Sequence, residues 1–327
     1  MQVFKTLPHP PLAIHSHLTI GNFDGVHLGH QVLLRAMIES ARLQNSLAGL
    51  LTFHPHPLTV IRPGHHHRRL SSVEERLEIL NDLGLDYVVV YPFSRETAST
   101  SASDFVTSLV QSLDLTSLWV GPDFTLGRNR EGNVAALQSM GDRLGFDLKV
   151  IEPQAVAGME VRSRQIRQQL ADGDVFLATR QLGRPYSIRG TVVAGARRGH
   201  QIGFPTANLD VPAGRLIPAY GVYATWVRLL DDSGAGSTPL PSVTNIGVRP
   251  SFDNGQPTVE THLLDYEGDL YGRAISLSFV ERLRPEIRFA NANELREQIG
   301  RDVRSARHIL EKASNTSASL SDAGCAG

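Results

Sequence analysis

The chain has 327 residues, 41% of them hydrophobic, which is enough material for two buried cores of ordinary domain size. Its 32 Lys and Arg are balanced by 33 Asp and Glu to a formal net charge of -1, so no sequence-wide basic field exists to hold a nucleic-acid backbone or an anionic membrane. The single cysteine, Cys325, excludes an intrachain disulfide framework and a multi-cysteine metal site.

No apolar run approaches the roughly 20 residues that a membrane span requires. The first residues, MQVFKTLPHPPLAIH, lack an apolar signal core bounded by a small-residue cleavage site. A soluble protein that stays in a reducing cytoplasm is the expectation.

From Leu18 to about Val150 short apolar runs alternate with helical patterns. HLTIG reads as a strand, Val32, Leu33, Leu34, Met37 and Ile38 as the buried stripe of a helix, and LAGLLTF as the next strand. The rhythm continues with a helix near Ser72 to Leu83, a strand at Tyr87 to Tyr91, a helix near Ser103 to Leu113, a strand at Leu118 to Val120 and a helix near Gly132 to Leu144. Consecutive units of this kind build a Rossmann-like parallel sheet whose ligands collect at the strand carboxyl ends. After about Leu182 the texture changes to period-two runs, YSIRGTVV, GVYATWVRLL, PTVETHLLD and AISLSFVERL, which predict a small antiparallel β-barrel. A closing helix is predicted from about Asn293 to Lys312, and residues 313–327 are too small and polar to pack. The domains expected are therefore 1–182, 183–312 and a disordered tail 313–327.

The chemistry-bearing stretches sit at the predicted strand ends. GNFDGVHLGH places Gly21, Asn22, Phe23, Asp24, His27, Gly29 and His30 around a helix N-terminus, where glycines admit a close ligand and histidines can donate to phosphate oxygens. Such a turn suits nucleotidyl transfer, in which an anionic phosphate nucleophile needs alignment and charge stabilisation more than a strong base. TFHPHP adds Phe53, His56 and Pro57, an aromatic and a histidine in a stiff loop able to frame a flat ring. PDFTLGRNREGN supplies Asp123 for a base, ribose or flavin edge, and Arg128 for a phosphate. Ser163 and Arg167, one turn apart in VRSRQIRQQLADGD, form a capped helix start able to clamp a triphosphate. The HHHRR tract at 65–69 reads as an exposed basic loop and not as a metal site.

In the second half, Gly195, Gly199 and Gly203 permit a phosphate-wrapping loop that does not follow the P-loop spacing. Pro205, Thr206 and Asn208 follow in GFPTANL, and the two neutral oxygens of Thr206 and Asn208 suit Mg²⁺ shared with substrate phosphates. Glu260 shares a strand face with His262 and reads either as solvent-facing or as the base that deprotonates an alcohol attacking ATP. NIGVRPSF adds Arg249.

These pieces, in this order, resemble the bacterial bifunctional riboflavin kinase/FMN adenylyltransferase family, also called FAD synthetase. GNFDGVHLGH, TFHPHP, VGPDF, IRQQLADGD, LGRPY, GFPTAN, GVY, NIGVRP, VETHLLD and DLYG carry the resemblance over about residues 15 to 312. It implies that an N-terminal nucleotidyltransferase domain converts FMN and ATP to FAD and pyrophosphate, with His27 and His30 on the ATP phosphates. Asn22, Asp24, Asp123, Ser163 and Arg167 would complete that pocket. A C-terminal riboflavin kinase barrel would make FMN from riboflavin and ATP, with Thr206 and Asn208 on Mg²⁺-ATP and Glu260 as catalytic base. Its partners would be small molecules, with no nucleic acid or membrane, in a monomer or weak homo-oligomer.

Four positions depart from the family pattern. Arg162 and Arg164 flank Ser163 where a Ser and a Thr are usual, Leu126 replaces a Phe, and Ser251 replaces a Thr. The arginines raise two rival readings, a kinase whose nucleotidyl half has degenerated and a non-catalytic flavin-binding regulator. Intact His27, His30, Thr206, Asn208 and Glu260 oppose the regulator, since a binder needs neither a base nor metal ligands.

Overall fold

A computed structural model describes residues 1–64, 67–152, 161–195, 203–231, 236–248 and 257–323. The chain divides into two compact units, Met1–Ser163 and Arg164–Gly327.

In the first unit, β1 (Gln2–Phe4) and β2 (Ser16–Ile20) are followed by α1 (Leu28–Leu43), β3 (Leu47–His54), α2 (Pro57–Ile61) and α3 (Val73–Asp82). Then come β4 (Tyr87–Pro92), α4 (Arg95–Ser99), α5 (Ala102–Leu113), β5 (Leu115–Val120), β6 (Thr125–Leu126), β7 (Gly132–Asn133), α6 (Val134–Leu144) and β8 (Asp147–Val150). Local chemistry sets several of these starts. Ser72 and Glu75 form a reciprocal capping box at α3, and the Asn133 side chain accepts from the Ala136 N–H to open α6.

The expected parallel sheet is present, in the strand order β1-β4-β3-β2-β5-β8. Leu34, Met37 and Ala41 of α1 and Leu80 of α3 pack with Ala48, Leu50, Val88 and Trp119 on one face. Phe105, Val106 and Leu109 of α5 and Leu137 of α6 pack with Leu18, Leu51, Val89 and Leu118 on the other. Gly49 is required by contact, because a Cβ there would lie 2.0 Å from the buried Tyr87 ring. From β2 the chain builds β3 and β4 on one side and then crosses to β5 on the other, so the order reverses at β2. Such a reversal opens a crevice at the strand carboxyl ends.

The second unit carries α7 (Ser163–Asp172), which starts at the boundary residue, and α8 (Val175–Leu182). The strands β9 (Ser187–Val193), β10 (Ala207–Asp210), β11 (Gly221–Leu229), β12 (Leu240–Val248), β13 (Pro257–Leu263) and β14 (Ala274–Arg284) close into the antiparallel barrel β10-β13-β12-β11-β14-β9, and α9 (Ala292–Ala323) ends the fold. Tyr186, Tyr223 and Phe279 are buried against one another. Beside them runs a fully buried hydroxyl chain, in which Thr225 Oγ1 lies 2.7 Å from both Ser242 Oγ and Thr244 Oγ1, and Thr244 donates to Thr261 at 3.0 Å. Every buried hydroxyl in that chain has a partner, as burial of polar groups demands.

Two boundaries differ from the sequence reading. The unit boundary follows Ser163, whereas the texture of the sequence changes near Leu182. Long-range backbone partners account for this: Ala219 N–H donates to the Leu170 carbonyl, and Arg282 donates to the carbonyls of Asp172 and Tyr220, so α7 is tied to the barrel. The closing helix runs to Ala323, past the expected end near Lys312. Between Arg301 and Ala323 there is no Gly or Pro to stop it.

α9 lies on the barrel through Ala306 and Leu310 against Val222, Ala224 and Val243. Its charged anchor is Asp302, which accepts from Arg284 Nη2 at 2.8 Å and Nε at 3.1 Å, with Gln298 donating at 2.8 Å. Asp302 is 5% exposed, so removing it strands a largely desolvated guanidinium. Asp302→Ala should cost about 3 kcal/mol of stability in chemical denaturation, with the midpoint of the barrel transition lowered.

His17, in the centre of the first unit, is 1% exposed and lies against Trp119. Burial pushes its pKa below the ordinary imidazole value, partly opposed by Gln44 and Asp147. The unfolded chain then binds more protons than the folded one below about pH 6.5, so this contribution to stability is complete above that pH and is lost as pH falls. Melting curves should show the stability of the wild type relative to His17→Phe falling as pH drops below about 6.5, the variant having no proton to take up at this position.

Candidate active sites

The first site grows from the end of β2. Gly21 N–H still pairs with the Leu51 carbonyl, after which the backbone leaves the sheet through three left-handed positions, Phe23 (φ 45°), Gly25 (φ 80°) and Val26 (φ 39°). Positive φ is costly for Phe and for β-branched Val, and backbone strain of this kind collects at ligand sites. The compensation is internal. Asp24, 4% exposed, accepts from the N–H groups of Leu70 (2.9 Å) and Ser71 (3.1 Å), and Ser71 Oγ accepts from the Gly25 N–H at 3.0 Å. The Asp24 carboxylate thus holds the loop against residues 70–71, with His67 Nε2 4.0 Å away.

The histidines meet at the start of α1. His27 is the N-cap and its Nδ1 accepts from the His30 N–H at 3.3 Å, so a neutral His27 carries its ring proton on Nε2. The two rings stack at 3.6 Å, and Phe23 lies 4.7 Å from His30. Burial pushes the His30 pKa well below the ordinary imidazole value, helped by the charges of His27 and Arg76. His30 Nδ1 and Asn22 Oδ1 are buried with no hydrogen-bond partner among the described residues. Gly29 lies in the first turn, where a Cβ would be 3.3 Å from the His27 ring, and at Gly21 a Cβ would be 2.9 Å from Phe23.

The other expected residues of this site lie as follows. Ser163 Oγ donates to the Asp24 carbonyl at 3.1 Å. Asp123 is exposed just beyond the carboxyl end of β5, and Arg128 is exposed in the 3₁₀ turn that follows β6. Phe53 ends β3 among Tyr91, Phe93 and Phe105, with the Phe93 ring 5.4 Å away. His56 caps α2 through the Leu58 N–H, Pro57 is its first residue, and the His56 ring stacks on His67 at 4.0 Å. Arg167 is one turn along α7, in the second unit. The sequence reading missed Arg76 of α3, 6% exposed, whose Nη1 donates to the Asn22 carbonyl and to Thr52 Oγ1. A lone Arg on a helix with acidic neighbours gives no sign of this burial.

The second site lies on the outer face of the barrel. Strand register places Asn208 of β10 opposite Glu260 of β13, and Glu260 opposite Asn245 of β12, so three polar side chains form one cross-strand row. Val259, Thr261 and Leu263 point the other way and are buried. Asn208 is 8% exposed, and its amide lies against Gly195, where a Cβ would be 2.1 Å from Nδ2. Gly203 takes φ 87°, and the Pro205 carbonyl accepts from His262 Nδ1 at 2.8 Å, which fastens the approach to Thr206 over β13. Phe204 meets the His262 ring edge-on at 5.5 Å. Asn245 was not singled out from the sequence, because only strand pairing makes it a neighbour of Glu260. Gly199, Arg249, Ser251, His65 and His66 lie outside the described residues.

Comparison with known proteins gives both halves a relative. The family model for FAD synthetase matches residues 10–165, and that for riboflavin kinase matches residues 182–310. The bifunctional riboflavin kinase/FMN adenylyltransferase of Escherichia coli (strain K12) is 42% identical over 295 residues, covering 90% of this chain and 92% of that protein. The protein of the same description from Pseudomonas fluorescens is 38% identical over 293 residues, covering 89% and 92%. Among solved structures, a Streptococcus pneumoniae protein described as a macrolide-efflux protein aligns with a TM-score of 0.84 at 27% identity, covering 93% of this chain and 98% of that one. Among the described residues of this chain no helix is long and apolar enough to cross a membrane. With both family models matched in sequence order and relatives of this identity along nearly the whole chain, the protein belongs to the bifunctional riboflavin kinase/FMN adenylyltransferase family.

Proposed function

We infer that the protein phosphorylates riboflavin with ATP to FMN and then joins FMN to the adenylyl group of a second ATP, giving FAD and pyrophosphate. The division of labour assigns the second step to residues 1–182 and the first to residues 183–312. The observation that carries the kinase assignment is the Asn208–Glu260–Asn245 row, which sets a carboxylate beside a neutral oxygen donor on adjoining strands.

In the adenylyl step the FMN phosphate attacks the α-phosphorus of ATP and pyrophosphate departs. The nucleophile is already anionic, so the protein's task is alignment and stabilisation of charge. Nε2–H of His27 and the N-terminus of α1 act on the phosphates, with His30 beside them. Asn22, Gly21, Gly29, Ser163, Arg128 and Arg167 complete the nucleotide side, while Phe23 and Asp24 shape the turn from beneath. Phe53, His56, Pro57 and Asp123 frame the flavin side.

In the kinase step Glu260 takes the proton of the ribityl 5′-hydroxyl as its oxygen attacks the γ-phosphorus and ADP leaves. An unactivated alcohol gains most from such a base. Gly195, Gly199, Gly203, Pro205 and Arg249 hold the nucleotide and flavin around it. Thr206 and Asn208 offer hard oxygens but too few for a complete cage, and among the described residues no group of three or more His, Cys, Asp or Glu could hold a metal. That set fits Mg²⁺ shared with ATP phosphates, which on binding neutralises charge on the transferred phosphoryl group. Near-neutral charge and small-molecule substrates support a cytoplasmic enzyme without nucleic-acid partners, as a monomer or weak homo-oligomer.

Purified protein given riboflavin, ATP and Mg²⁺ should show FMN first and FAD later on chromatography; FMN accumulating with no FAD, even from supplied FMN, would select a kinase with a degenerate adenylyl half. Glu260→Ala should lower FMN formation by about 10² to 10⁴ while supplied FMN is still converted to FAD. Loss of both steps in a folded Glu260→Ala variant would refute the division of labour. Gly195→Ala, which drives a methyl into the Asn208 amide, should slow the kinase step about tenfold or more and leave FAD formation from FMN unchanged.

A further inference from the structure

Arg76 is the least expected charge near the first site. It is 6% exposed, and among the described residues its guanidinium hydrogen-bonds to neutral oxygens, the Asn22 carbonyl and Thr52 Oγ1 at 2.8 Å. Asn22 follows β2 and Thr52 lies near the end of β3, so one side chain from α3 joins the carboxyl ends of two adjacent parallel strands. Arg76 Nε is buried without a hydrogen-bond partner among the described residues, as are His30 Nδ1 and Asn22 Oδ1 around the same turn.

A buried cation satisfied by neutral oxygens alone is costly to keep. Asp24 and Glu74 favour its charge, while Arg69 and above all burial oppose it, and a guanidinium holds its proton regardless. The arrangement is economical if a polyanion at the N-terminus of α1 adds to the countercharge of Asp24 and Glu74. We propose that Arg76 is a positioning residue for adenylyl transfer, holding the Asn22 peptide to the end of β3 and setting a fixed positive charge behind the His27–His30 pair. This rests on the reading of the Gly21–His30 turn as the adenylyl-transfer site.

Arg76 acts through neighbours. Its fork aligns the Asn22 peptide, and its charge opposes protonation of His30, whose other facing titratable group is His27. Burial chiefly keeps His30 neutral, with His27 and Arg76 adding to it, and removing the Arg76 charge moves its titration up towards the ordinary imidazole value. The kinase step, built from the other unit, is an internal control within the same chain.

The test uses the full chain with Arg76→Gln, Arg76→Lys and His30→Ala, following FMN to FAD, riboflavin to FMN, and the pH dependence of kcat/KM for ATP. Arg76→Gln should lose roughly 10²-fold in kcat for FAD formation, a loss typical of misplaced reacting groups. Its acidic limb should move to higher pH while the kinase rate holds. Arg76→Lys should keep the acidic limb where it is, because the charge remains, but lose part of kcat, because a point charge does not reproduce the fork. An Arg76→Gln enzyme with unchanged kcat, or with a slowed rate and an unmoved acidic limb, overturns the proposal. Should that variant not fold, Arg76→Lys decides, and wild-type kcat in it overturns the proposal equally. Unimpaired FAD formation by His30→Ala would instead refute the site itself, so the two failures are distinguishable.

Discussion

Parallel strands cannot be joined by tight turns, and this constraint governs the first unit. Each link between neighbouring strands must cross the sheet, so every strand-to-helix loop emerges on the same edge. β2 pairs with β3 on one side and β5 on the other, and the chain reverses direction of growth between them. Gly21 to His30 and Asp123 are therefore delivered to one crevice from stretches about a hundred residues apart in sequence.

That crevice is lined by a strained turn, and its stability comes from polar groups beneath it. Asp24 is consumed by backbone N–H groups of residues 70 and 71, and Arg76 by the Asn22 carbonyl and Thr52. Both charges are buried; Asp24 is satisfied by loop N–H groups, whereas Arg76 bonds one loop carbonyl and one strand hydroxyl and keeps its Nε unpartnered among the described residues. Such a turn is pre-organised, so little rearrangement is needed when charge develops on a bound phosphate. His27 shows the same economy: one ring nitrogen caps α1, and the other is thereby fixed as a donor.

The barrel solves the opposite problem. Closure removes the sheet edges, and alternation along each strand divides the residues into two sets. Inward hydroxyls of Thr225, Ser242, Thr244 and Thr261 satisfy one another in the dry interior, whereas Asn208, Glu260 and Asn245 form a polar row on the other face of the same strands. α9, held by Asp302 and Arg284, covers the part of the outer face formed by Val222, Ala224 and Val243.

The β-α-β rhythm of the first half and the period-two runs of the second were legible as sequence, because apolar spacing follows directly from which side of a helix or strand is buried. His27, His30, Thr206, Asn208 and Glu260 were legible as candidates, from residue types and motif contexts suited to phosphate, metal and proton chemistry. Only the tertiary structure decided what depends on pairing between distant segments. It joined Asp24 to the backbone of residues 70 and 71, brought Arg76 under Asn22, set Asn245 beside Glu260, and assigned α7 to the barrel through Arg282. Local periodicity carries the burial of a face, but a hydrogen bond spanning 54 residues, such as that of Arg76 to Asn22, leaves no periodic trace in the chain.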